Sequence, residues 1–230
     1  MEDRKAANGD GSKRPHWIFT CVLLSFLCPA AKAQVPVELF VGQEKTTIDL
    51  QFFRYFKDRE GNQSRWLFFN RNRTSIDYRM TSTAYRPQFG FTEAISYNPP
   101  ALKGFAPVAV VQVFSSGVFP KLGIQYARNR GDWLIFSWLV TETLARPDLD
   151  YFLLLRYTPA LNARWRLFLQ AESINTVPLH AEGSAVFVQR LRTGLKQGAW
   201  QWGIGADLTQ NRAADPRFAA NMGLFLRYEF

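Results

Sequence analysis

From Asp150 to Phe230 the chain alternates, segment after segment, between apolar side chains and polar or charged ones. Successive side chains of a strand point to opposite faces, so a period of two sorts each segment into two rows. In Asp150–Thr158, Tyr151, Leu153, Leu155 and Tyr157 oppose Asp150 and Arg156. In Ala163–Ser173, Trp165, Leu167, Leu169 and Ala171 oppose Arg164, Arg166, Gln170 and Glu172. In Ser184–Leu195, Phe187, Leu191 and Leu195 oppose Arg190 and Arg192, with Lys196 following in the charged row. In Ala199–Thr209, Trp202, Ile204, Ala206 and Leu208 oppose Gln201, Gly203, Gly205, Asp207 and Thr209. The last segment, Ala219–Phe230, sets Met222, Leu224, Leu226, Tyr228 and Phe230 against Gly223, Phe225, Arg227 and Glu229. No helical period competes with this rhythm, so the fold class is all-β.

The same rhythm runs upstream with less regularity. Thr47–Phe56, Gln88–Tyr97, Val108–Ser115, Pro120–Asn129 and Trp133–Glu142 read as strands rich in aromatic and β-branched residues. Arg54 falls in line with Ile48, Leu50 and Phe52, and Glu93 interrupts the row of Phe89, Phe91, Ile95 and Tyr97. Arg65–Asn70 and Ser75–Thr81 read as two short strands around an Arg71-Asn72-Arg73-Thr74 link, or as one long strand. Residues 34–45 read as a short extra strand or a lead-in. Asn98-Pro99-Pro100 and Pro107 bracket a turn expected to lie outside any strand interior. The total is about 12 strands, within 10 to 14, averaging roughly ten residues, the length that crosses a bilayer at a tilt.

The N-terminus narrows the class further. A basic stretch to His16 precedes an apolar run from Trp17 to Cys28, and Ala31-Lys32-Ala33 fits a small-x-small cleavage pattern. Residues 1–33 are therefore expected to be a signal peptide and 34–230 a single exported domain. Cys21 and Cys28 both fall in the leader, so no disulfide framework follows it. No apolar run beyond Gln34 approaches the length of a spanning helix. The net charge of +9 invites a nucleic-acid reading, but an exported chain rarely meets nucleic acid, and none is expected as a partner.

The alternating apolar row that ends in Leu224, Leu226, Tyr228 and Phe230, with Gly223 beside it, resembles the closing strand of bacterial outer-membrane β-barrel proteins. The resemblance covers the leader, the hairpin rhythm and this strand, and reaches no named subfamily. It implies a single antiparallel transmembrane barrel in which Gly223, Leu224, Leu226, Tyr228 and Phe230 form the signal read by the barrel-assembly machinery. It also implies outer-membrane lipid around the apolar rows, with Trp165, Trp200, Tyr151, Tyr157 and Tyr228 in interfacial girdles. With Phe230 periplasmic, parity sets 144–149, 174–183 and 210–217 outside, and 129–132, 159–162 and 197–198 on the periplasmic side. In a soluble barrel the two rows would exchange roles, with aromatics in a core and charges in solvent.

Enzymatic outer-membrane barrels of three kinds (phospholipase, protease, lipid acyltransferase) rely on a histidine with Ser, Asp or Asn partners. Beyond the leader only His180 is present, on a loop with Glu182, and no motif fixes a serine beside it. One histidine and no cysteine make no metal site, and no cofactor is expected. Arg130-Gly131-Asp132 spells an integrin-binding tripeptide but sits where a hairpin turn is needed. What remains is the inward row: Arg156, Arg164, Arg166, Gln170, Glu172, Arg190, Arg192, Lys196, Asp207 and Arg227. If this row meets water, the barrel is a small porin-like channel whose arginines favour anionic solutes. If it pairs internally, the barrel is a non-conducting scaffold with an ion-paired lumen. Twelve strands lie between barrels that side chains fill and barrels that leave a channel.

Overall fold

Every segment that alternates in the sequence is a strand in the computed structural model, which describes residues 35–79, 87–144, 147–180, 183–212 and 217–230. Among them run β1 (Pro36–Gly42), β2 (Lys45–Lys57), β3 (Gln63–Asp77), β4 (Gln88–Tyr97), β5 (Phe105–Phe114) and β6 (Gly117–Arg130). β7 (Trp133–Glu142), β8 (Asp148–Tyr157), β9 (Arg166–Pro178), β10 (Ala185–Gln197), β11 (Trp200–Arg212) and β12 (Arg217–Glu229) complete them. Each strand pairs antiparallel with its sequence neighbours, and β1 pairs with β12 from Pro36↔Glu229 to Gly42↔Gly223, closing the sheet. Closure leaves no edge, so every ladder group finds a partner without water. The stretch expected to be a leader, with Cys21, Cys28 and Ala33, lies outside the described residues, as does Glu182.

The strand total expected from the sequence holds, but its make-up differs at two places that offset each other. The stretch read as strand or lead-in is a full strand, β1. The stretch read as two strands or one is the single strand β3, of 15 residues. Pro107, expected outside the strands, lies within β5 opposite Ile124. Its missing N–H is harmless there because pairing with β4 begins only at Val108. Tight hairpins join β6 to β7 and β10 to β11, where Arg130 pairs with Trp133 and Gln197 with Trp200. Gly131 (φ +59°) and Gly198 (φ +57°) supply the left-handed residue that such two-residue turns require.

Exposure settles which row is wet. Leu224, Ile204 and Ile124 are 66%, 64% and 60% exposed on the outer face, whereas Arg192 and Arg227 are each 3% exposed inside. No water-soluble fold buries its arginines and presents leucines in this way; the apolar face belongs in lipid. At the end that carries Phe230, aromatic pairs ring the barrel: Trp66–Tyr97, Phe105–Tyr126, Trp133–Tyr157, Trp165–Trp202 and Trp200–Tyr228. Such a belt marks a membrane interface, where a ring sits in the apolar layer and its polar tip in the headgroups. The chain is a closed, twelve-stranded, antiparallel transmembrane β-barrel of the outer-membrane type.

Candidate functional site

The barrel's interior divides lengthwise into an apolar and a charged half. β3, β4, β5, β7 and β8 turn Leu67, Phe69, Ala94, Val108, Val110, Phe136, Trp138, Phe152 and Leu154 inward, where they pack as one cluster. Phe69 and Phe136 stack at 5.3 Å, and Trp138 meets Phe69 edge-on at 5.1 Å. A smaller cluster, Phe40, Phe168 and Phe225, fills the lumen on the side of β1, β9 and β12.

Across from the aromatics runs a continuous ion-pair network. Arg192 donates to Glu38 at 2.8 Å and to Asp207 at 2.9 Å, and its guanidinium lies 4.0 Å over the Phe40 ring. Asp207 also accepts from Arg73 at 2.6 Å, Arg73 donates to Asp49 at 3.0 Å, and Asp49 is held on its other side by Arg71. Arg71 then crosses the lumen to Glu172 at 2.9 Å, tying β3 to β9. Arg190 closes the loop, donating to Glu172 at 3.3 Å. Gly205 makes this possible, since a Cβ there would stand 2.7 Å from the Arg192 side chain. The network encloses a void of only ≈10 Å³, room for about one water. With Phe168 and Leu154 wholly buried beside it, the middle of the barrel is filled by side chains.

Most of the sequence-derived inward row belongs to this interior. Arg156 donates to Gln170 at 2.8 Å, Gln170 donates to Glu172 at 2.8 Å, and Arg227 donates to Gln170 at 3.3 Å. Arg156 and Arg227 flank the Phe168 ring at 5.7 and 5.8 Å, each guanidinium set over an aromatic face. Lys196 pairs with Glu229, and Arg166 pairs with Asp132 at the rim on the Phe230 side. Arg164 does not join the row: β9 begins at Arg166, and Arg164 is exposed beside the Trp165 ring at 5.9 Å. Four members of the network, Glu38, Asp49, Arg71 and Arg73, escaped sequence reading. Thr47, Asp49 and Gln51 alternate with Ile48, Leu50 and Phe52, and that row was the available signal.

Toward the end opposite Phe230 the interior opens into a vestibule of ≈380 Å³. Its basic wall carries Lys45, Arg71, Arg73 and Arg190, against the acids Asp150 and Asp207. Phe69, Phe114, Trp138 and Phe152 form its aromatic wall and floor. On the same end, His180 lies 3.6 Å from Asp148 in a separate depression that Ser184 also lines. No hydrogen bond joins Ser184 to His180 among the described residues. No group of His, Cys, Asp and Glu able to hold a metal occurs among the described residues.

Of the residues expected to form the assembly signal, Leu224, Leu226 and Phe230 lie exposed on the lipid face. Tyr228 packs between the rings of Trp200, tilted at 4.6 Å, and Phe230, edge-on at 4.7 Å, and Gly223 faces Gly42 across the seam.

No family model matches the chain, and no curated protein matches it. Among solved structures it is similar to the KdgM porin, at 10% identity over 86% of this chain and 99% of that one, with a TM-score of 0.44. The KdgM porin in complex with disordered oligogalacturonate aligns at 10% identity over 86% and 99%, TM-score 0.43. The β domain of the Bordetella autotransporter Brka aligns at 10% identity over 85% and 98%, TM-score 0.36. Similarity this low leaves the assignment to the barrel's own geometry.

Proposed function

We propose that this barrel is a porin-like protein of the outer membrane that captures small anionic solutes in the vestibule opposite Phe230. The observation that carries the reading is the lining of that vestibule, four basic side chains against two acidic ones around ≈380 Å³. Low-dielectric walls focus such a field and concentrate anions at its mouth. The reading has residues 1–33 as a cleaved export signal and 34–230 as the barrel, with Phe230 periplasmic and the vestibule facing outward. The barrel-assembly machinery reads Gly223, Leu224, Leu226, Tyr228 and Phe230. The filled middle favours a barrel that holds its solute over one that passes it, and no catalytic step is assigned.

Calorimetric titration of the purified barrel tests this reading. Small mono-anions bind, size-matched neutral solutes do not, and affinity falls as salt rises. Equal binding of neutral solutes, or none of either, overturns it. A second reading, an anion-selective pore, draws on Arg190 and Arg73, which stand both in the network and at the vestibule wall. Parting their ion pairs would open the charged half of the lumen.

A further inference from the structure

Beyond the aromatic belt at the Phe230 end, the outside of the barrel gathers positive charge on one side. On β6 the outward row of Leu122, Ile124 and Tyr126 runs on into Arg128 and Arg130, both exposed. A rise of about 3.3 Å per residue at a tilt near 40° sets them about 5 and 10 Å beyond Tyr126, at the level of lipid headgroups. The turn between β4 and β5 adds Lys103. It lies close against β6: Ala127 donates to the Gly104 carbonyl at 2.9 Å, and a Cβ at Gly104 would stand 2.9 Å from the Ala127 carbonyl oxygen. Phe105 pairs with Tyr126, and continuing that register sets the exposed Lys103 opposite Arg128. Among the described residues Lys103 is the one non-glycine residue with a left-handed backbone (φ +49°), so the course of the turn places it there against its own preference. The side chains of Lys103, Arg128 and Arg130 form no hydrogen bond or ion pair among the described residues. The acids of this end are engaged elsewhere: Asp132 with Arg166, Glu229 with Lys196, and Asp58 and Glu60 within the turn between β2 and β3. Outward cations at the opposite end differ, since Arg79 pairs with Asp77 and Arg212 lies 5.2 Å over the Phe187 ring.

We propose that Lys103, Arg128 and Arg130 form a binding site for an anionic phospholipid in the leaflet at the Phe230 end. Three neighbouring cations repel one another unless an anion lies among them, and at this depth the anions on offer are headgroup phosphates. A zwitterionic headgroup brings its own ammonium into the same space, so a headgroup with net negative charge is the better match. The acyl chains run from there along Phe105, Ile124 and Leu122, which are all exposed on the lipid face above the cluster. A soluble anion would leave that apolar path unused. Arg130 also borders the Trp133–Tyr157 ring pair through its register with Trp133, which fixes the cluster at the membrane interface.

The test is native mass spectrometry of the intact barrel released from detergent micelles that hold equal amounts of phosphatidylglycerol and phosphatidylcholine with the same acyl chains. The first lipid retained is expected to be phosphatidylglycerol, by at least tenfold over phosphatidylcholine. Lys103→Gln, Arg128→Gln and Arg130→Gln combined bring the two lipids to within about twofold of parity. Lys103→Arg keeps the preference, and so does Arg164→Gln, which removes an exposed arginine of the same end outside the cluster. An excess of glycerol 3-phosphate leaves the bound lipid in place. Heat-modifiable migration on gels reports that each variant is folded. Equal retention of the two lipids by the unmodified barrel overturns the proposal, as does a preference that survives the triple substitution. Loss of the preference in Arg164→Gln shows a diffuse field in place of a site, and displacement by glycerol 3-phosphate shows a soluble-phosphate site; either result overturns it.

Discussion

Arg192 joins two carboxylates from different strands and rests on an aromatic ring, and Glu38 and Asp207 are both buried with it. Removing one member of a buried ion pair leaves uncompensated charge, at a cost of about 3–5 kcal/mol. Arg192→Gln should therefore lower the stability of the barrel by that amount in urea unfolding from phospholipid vesicles. Arg164→Gln, an exposed residue outside the strand, should leave it within about 0.5 kcal/mol. The two arginines look alike in the sequence, since each stands in a charged row that alternates with apolar residues. The alternation does bring out Arg190, Arg192, Glu172 and Asp207. Their partners stay hidden because the pairs form across the lumen: Arg71 and Glu172 are 101 positions apart, and no local pattern encodes which wall faces which.

At the scale of the element, β3 explains the main ambiguity in the sequence. Asn70-Arg71-Asn72-Arg73-Thr74 is polar at every position, which breaks the alternation and mimics a turn. In the barrel both faces of this stretch are polar for separate reasons. Arg71 and Arg73 enter the ion-pair network, while on the outer face Asn70 donates to Glu93 of β4 and Asn72 donates to Asn70. The break in the row at Glu93 is thus a lipid-facing carboxylate with an amide partner. Tyr97 of the aromatic belt lies on the same strand, and a rise of about 3.3 Å per residue at a tilt near 40° puts Glu93 roughly 10 Å deeper in the apolar band. Glu93→Gln keeps an acceptor for Asn70 and removes the charge from lipid. It should stabilise the barrel in vesicles by on the order of 1 kcal/mol, and a loss of stability would show that the charge itself is held. The far shorter β1 was ambiguous for the opposite reason: only Val37, Leu39 and Val41 mark its outer row, and its inner row mixes Pro36, Glu38, Phe40 and Gly42.

For the molecule as a whole, closure, an apolar exterior and a filled interior act together. Charges that pair inside need no water, and the aromatic cluster opposite them packs against the same network, so the lumen is stabilised much as a soluble core is. A barrel of this kind should remain compact in dodecyl sulfate until heated, so unheated and heated samples should run as two bands. A single band, with recovery in the soluble periplasmic fraction, would reverse the assignment of its faces. Fold class, the outward apolar rows and most of the inward charges were legible because a period of two is local. Whether the interior is open was not legible, because it depends on barrel diameter and on side chains meeting from opposite walls. Electrical recording of the purified barrel in planar phospholipid bilayers tests that point most directly. With the middle closed by the Arg71–Glu172 crossing and the Phe69, Phe136 and Trp138 cluster, the inserted protein should pass no steady current under a salt gradient. A sustained current whose reversal potential follows the chloride gradient would contradict a closed lumen.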